Sequence, residues 1–168
     1  MLTARIVSTS NIKHLSCFSE GEDAIGRFLQ HMIKNQSEYQ RFLRKVFVNI
    51  EIYSPIYWWL ELNSFMKVDV LSTVLRSVSS VDITDFSIES LKFDLQEKFK
   101  DYIDSISQSQ NSDIFRFLPM NYNIKHELTF SYAELVELNT KVKQIRPLEW
   151  GRFFDCVLEA PLMKYILN

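Results

Sequence analysis

The sequence predicts an α/β chain in which helices outweigh strands, and three observations carry that reading. The stretch 46–53 (VFVNIEIY) alternates apolar and polar residues with the period of two that a half-buried strand requires. The stretch 85–106 sets Ile88, Leu91, Leu95, Phe99, Tyr102, Ile103 and Ile106 on one helical stripe, with Lys92, Glu97, Lys98 and Lys100 off it. Two capping boxes, Ser37-x-x-Gln40 and Ser131-x-x-Glu134, mark helix starts, because each pairs a hydroxyl acceptor with a side chain that reaches back to the first backbone N–H.

Taken in order, Leu2–Ser8 alternates well enough for a short strand, and 11–21 reads as loop. From Glu22 the residues Ile25, Phe28, Leu29, Met32 and Ile33 recur at helical spacing, predicting an amphipathic helix to about Lys34. A short helix begins at Ser37 and carries Phe42 and Leu43. In the strand 46–53, Val46, Val48, Ile50 and Ile52 face one way and Phe47, Asn49, Glu51 and Tyr53 the other. Ser54 and Pro55 then read as N-cap and first residue of a helix to about Asn63, apolar round most of its circumference and therefore buried. Lys67–Ser79 carries five β-branched residues and is read as strand in preference to helix.

Asp85–Ser105 holds the clearest helix, and the serine-rich 105–112 breaks it. A short helical turn over 113–118 must stop before Pro119, and 121–130 reads as a strand. Ser131 starts a helix to about Lys143, with Phe130 stapled onto Leu135, and Pro147 opens a last helix, Leu148–Leu158, that ends by Pro161. No repeat, low-complexity tract or Pro/Gly linker divides the chain, so residues 1–168 read as a single domain.

Composition excludes several classes of function. Nineteen basic against twenty-one acidic residues leave a net charge of −2, with no positive field to gather nucleic acid or an anionic membrane. The longest apolar run, Ser54–Leu60, falls far short of the roughly 18–20 residues of a membrane helix, and the N-terminus lacks the pattern of a signal peptide. Two cysteines, Cys17 and Cys156, make no disulfide framework, so a cytoplasmic setting is expected. Three glycines are too few and too scattered for a phosphate-cradling loop, which removes P-loop and Rossmann readings. Aromatics reach 14%, much of it destined for the core.

The reactive side chains read mostly as structure. His14-x-x-Cys17 has the spacing of half a metal site, but His31, His126 and Cys156 are scattered and no metal is expected. Cys156 lies beside Phe153 and Val157 on an apolar helix face, the setting of a buried thiol. Glu61, a carboxylate in an apolar helix, must be paired, protonated or placed at a cavity, unless it shares a narrow polar seam with Asn63, the favoured reading. Of the tandem Trp58-Trp59, one ring reads as core and the other as an interface or stacking surface, with plain packing the favoured reading. Basic residues cluster over Lys34–Lys45 and Lys141–Arg152, both interrupted by acids, as on solvated helix faces.

Three ordered segments resemble a known family. They are Val46–Leu60 (VFVNIEIYSPIYWWL); Asp85–Leu91 (DFSIESL); and a course of Phe117-Leu118-Pro119, Tyr122-Asn123, Lys125, Tyr132, Leu135 and Arg146 to Trp150 (RPLEW). Together they look like the flavin-dependent thymidylate synthases, and more closely like small phage-borne proteins diverged from them, over residues 40–165. The resemblance implies a curved, mainly antiparallel sheet flanked by helices. It also implies assembly into a homo-oligomer, a tetramer or dimer, with active sites between subunits.

The family signature Arg-His-Arg-x-x-Ser-x-Asn-Glu-x-Ser-x-Arg, whose basic residues hold flavin and nucleotide phosphates, falls on Ser64–Arg76 (SFMKVDVLSTVLR). Only Arg76 matches; Ser64, Phe65 and Met66 stand in place of Arg-His-Arg, and Asp69, Leu71 and Ser72 replace the serine, asparagine and glutamate. Lys141 or Lys143 substitutes for the nucleotide-binding arginine, as a point charge in place of a bidentate fork. The resemblance therefore implies a shared fold without carried-over chemistry: a binding or regulatory protein with no cofactor, FAD being the one the family would supply. A second reading is an active FAD- and dUMP-dependent enzyme whose phosphates are held by Arg76, Lys141, Lys143 and Arg146, with Glu61 or Glu149 as the carboxylate. A third is a small phage-encoded inhibitor that binds a host protein in the host cytoplasm. Nucleic acid is the least favoured partner.

Overall fold

The computed structural model describes residues 2–13, 39–66, 78, 80–88, 92–108, 114–143 and 148–167. The helix expected over 22–34 and the strand expected over 67–79, Val78 apart, lie outside them. The chain divides into two compact units, one of Met1–Leu2 with Tyr53–His126, the other of Thr3–Ile52 with Glu127–Asn168. Among the described residues no helix is long and apolar enough to cross a membrane.

Three strands, β1 (Thr3–Ser10), β2 (Phe47–Pro55) and β3 (Asn123–Ser131), form a sheet in the order β1-β2-β3. Cross-strand partners fix their directions. Arg5 meets Glu51 and Ser8 meets Asn49; Thr129 meets Asn49 and Tyr132 meets Val46, so numbers rise on one strand as they fall on the next and both pairings are antiparallel. As the middle strand, β2 buries Val48, Ile50 and Ile52 completely. Its other side is half-buried and polar where the neighbours meet it: Asn49 donates to the Ser8 hydroxyl at 3.0 Å and accepts from the Thr129 hydroxyl at 2.7 Å. This hydroxyl-amide-hydroxyl ladder ties the three strands at one level, beside the 2.7 Å Arg5–Glu51 ion pair, which holds the exposed guanidinium above its ordinary pKa.

The short helix α1 (Tyr39–Leu43) precedes β2, which runs two residues further than expected and leads directly into α2 (Ile56–Phe65). Pro55, not Ser54, precedes α2, and no side chain caps it. The orphan donors at the helix start are satisfied instead by distant backbone: Ile56 donates to the Tyr122 carbonyl at 2.9 Å and Tyr57 to that of Met120 at 3.1 Å. A Ser-Pro pair has the composition of a cap, but with those carbonyls in reach the serine stays in the strand.

In the first unit, the 3₁₀ turn Ile83–Asp85 leads to α3 (Phe93–Gln108), and a second 3₁₀ turn, Ile114–Phe117, follows. Val81, Phe86, Ile103 and Ile106 form a small core, with Phe99 and Tyr122 packed on it. The helix expected from Asp85 thus starts later. Asp82 and Asp85 close a capping box around the 3₁₀ turn, and Phe86 then leaves it in extended conformation to bridge Tyr122, their rings 5.3 Å apart. The stripe is only partly buried: Ile103 and Ile106 are inside, while Leu95 and Tyr102 remain 46% and 43% exposed.

In the second unit, α4 (Tyr132–Val142) starts as the sequence predicts. Ser131 accepts from the Glu134 N–H at 3.3 Å, and the Glu134 carboxylate accepts from the Ser131 N–H at 2.7 Å. Phe130 and Leu135, the expected staple, are both buried. α5 (Leu148–Leu158) packs against β1 and buries Trp150, Phe153, Cys156 and Val157. A last helix not anticipated from sequence, α6 (Met163–Leu167), contacts α4 and α5, and Tyr132 donates its hydroxyl to the Pro161 carbonyl at 2.9 Å in the turn before it.

Candidate functional site

The β2-to-α2 junction is the first place where the sequence nominates chemistry, and its buried side is built from tryptophan. Trp59 donates its indole N–H to the carbonyls of Ser54 at 3.0 Å and Ile124 at 3.3 Å, and its ring meets those of Trp58 and His126 edge-on, at 5.3 and 6.4 Å. Both Trp58 and Trp59 are buried, in line with the favoured packing reading, and neither ring serves as a surface. Trp59 is anchored inside by its two carbonyl acceptors, and the first donors of α2 are tied to the 120–122 backbone beside it. Ser54 is also fully buried, and its hydroxyl has no hydrogen-bond partner among the described residues.

Along α2, Glu61 is half-buried, and its carbonyl accepts from the Ser64 hydroxyl at 2.6 Å. The helix ends at Phe65, and Met66 turns the chain to extended backbone (φ −136°) while still donating to the Leu62 carbonyl. No basic residue occupies the last turn. What the end of α2 presents is a hydroxyl, a phenyl ring and a thioether.

The second place is the end of α4 and the start of α5, in the other unit. Lys141 is exposed in the last turn of α4 and Lys143 is exposed at its C-cap, where the helix dipole favours cations; Glu149 is half-buried in the first turn of α5, where it favours anions. Helix electrostatics alone therefore accounts for part of this pattern of charge. Lys143 also borders a cleft of about 310 Å³ whose walls include Val142, Gly151, Phe154, Asp155 and Leu167. Arg76 and Arg146 lie outside the described residues, as do His14, Cys17 and His31. Glu61 falls in one unit and Lys141, Lys143 and Glu149 in the other.

Among the described residues no group of three or more His, Cys, Asp or Glu side chains is placed to hold a metal ion. Cys156 is a free, buried thiol whose pKa is pushed up by burial and by nearby Glu159, the opposite of what a nucleophile needs. Tyr132 is likewise pushed up by burial, consistent with a neutral hydroxyl held by a carbonyl. Sequence reasoning missed the cleft. Its one local sign was Gly151, a glycine inside a predicted helix.

No protein-family model matches this chain, and no curated protein matches it in sequence. Among solved structures it is similar to Thymidylate Synthase X (ThyX) from Helicobacter pylori, a crystal structure with FAD and dUMP. The TM-score is 0.67 at 14% sequence identity, covering 99% of this chain and 97% of that one. The likeness establishes the fold: a mixed, helix-rich α/β architecture of the ThyX kind, with a small antiparallel sheet flanked by helices.

Proposed function

We propose that this chain keeps a ThyX-like fold without the chemistry of flavin-dependent thymidylate synthesis, and acts as a binding or regulatory protein of the phage type. The observation that supports this most directly is the last turn of α2, which carries no basic residue. In the flavin-dependent family an Arg-His-Arg begins the phosphate-binding signature there, and this chain has Ser64, Phe65 and Met66. FAD and dUMP both carry phosphates, and binding them away from water calls for charge-assisted hydrogen bonds, which arginine supplies as a rigid fork. A phenyl ring and a thioether desolvate a phosphate and return nothing to it. The sequence that follows points the same way, since Asp69, Leu71, Ser72 and Val74 stand where the signature has Ser, Asn, Glu and Ser, and Arg76 alone matches it.

On this reading the protein assembles with copies of itself and works in the cytoplasm through a protein partner. The test is to supply FAD, a reductant and dUMP and to follow flavin reoxidation. The expected result is a rate that does not change with dUMP. Tight, stoichiometric FAD binding with dUMP-dependent reoxidation overturns the proposal.

A further inference from the structure

The described residues that line the cleft bordered by α4, α5 and α6 all belong to the second unit, and their character is mixed. Its volume, about 310 Å³, sits at the lower end of the range for small-molecule sites. Apolar surface comes from Val142 and from the paired rings of Trp150 and Phe154, whose centroids lie 6.5 Å apart with planes inclined by 30°. Trp150 is buried and Phe154 half-buried, so the second ring is the one a ligand can reach. Two opposite charges, Lys143 and Asp155, stand exposed on the lining.

Gly151 is the feature that sets this cleft apart from a packing gap. It lies within α5, where glycine weakens a helix relative to alanine, and a Cβ built on it would meet nothing within 4 Å. Packing therefore gives no reason for glycine at this position. Its effect is to bare the helix backbone in the wall of the cleft, so that a flat group can approach between Phe154 and the end of α4.

We propose that this cleft binds a small aromatic zwitterion of the size of a free aromatic amino acid. The ring lies over Gly151 against Phe154, the ammonium meets the Asp155 carboxylate, and the ligand carboxylate meets the Lys143 ammonium. A zwitterion gains an ion pair with each of these two described charges, whereas a ligand with one charge gains only one.

Calorimetric titration of the full chain with L-phenylalanine and L-tryptophan tests this, with phenethylamine and 3-phenylpropanoate as single-charge relatives. At least one amino acid is expected to bind at one site per chain, and each relative about tenfold more weakly, the scale of one lost charge-assisted contact. Gly151→Leu fills the cleft and is expected to abolish binding while keeping the helical circular dichroism. Asp155→Asn and Lys143→Gln change exposed side chains and are each expected to weaken binding about tenfold; they carry the test if Gly151→Leu fails to fold. Absence of binding by both amino acids, relatives that bind as well as they do, or affinity unchanged in the charge variants overturns the proposal.

Discussion

Trp59 joins two stretches of chain that are far apart in sequence, since its indole N–H is shared by the carbonyls of Ser54 and Ile124. Trp59→Phe keeps a ring but leaves both buried carbonyls without that donor, at an expected cost of about 1–3 kcal/mol. Urea unfolding measures it, and an unchanged midpoint would show that the shared bond is not a stabilising contact. Asp82 offers a test by pH. Its carboxyl is held below the usual range by hydrogen bonds from the backbone N–H and the hydroxyl of Thr84. A lowered pKa in the folded state means stability that is present above the unfolded value and lost as pH falls through the folded one. Asp82→Asn is therefore expected to flatten the acid side of the stability profile below about pH 4, read by thermal melting at a series of pH values. A profile identical to that of the parent contradicts this. Ser131 was legible as a cap because both partners of its box lie within four residues. Ser54 was not, because what replaces its cap is the backbone of Tyr122 and Met120.

Elements were legible where one pattern governs a whole stretch. The alternation of β2 survives intact, with Val48, Ile50, Ile52 and Ser54 all buried, because a middle strand has one buried face along its length. The helix of the 85–105 region lost its first turns because Phe86 is more useful bridged to Tyr122 in the small core than on a helical stripe. α6 is five residues long and carries no cap or period that sequence reasoning can detect; burial of Met163 and Ile166 holds it, after a turn in which Leu162 takes a positive φ of 67°. α5 makes a prediction of its own. Gly151→Ala places its methyl group in open space and is expected to stabilise the protein by about 0.5–1 kcal/mol, seen as a higher melting temperature. A lower melting temperature would mean that the helix wall at Gly151 is not open.

For the whole molecule, the fold class was legible and the site only in part. The sequence matches that suggested the family include residues that fold the chain, since Asn123, Tyr132, Leu135 and Trp150 are buried, beside others, such as Phe117 and Leu148, that are exposed. Core positions can persist while charged ones change, and on the proposed reading that is how a fold of the ThyX kind stands at 14% identity with Ser64, Phe65 and Met66 in place of Arg-His-Arg. The cleft escaped sequence reasoning because Val142, Gly151, Phe154 and Leu167 are brought to one place by three helices and share no spacing along the chain.

The visible absorbance spectrum of the purified protein, after loading with FAD and removing the excess, tests whether this ThyX-like fold has dispensed with flavin. A colourless protein is the expected result. A retained flavin band, in proportion to the protein, would contradict it and return Arg76, Lys141, Lys143 and Arg146 to consideration as a phosphate-binding set.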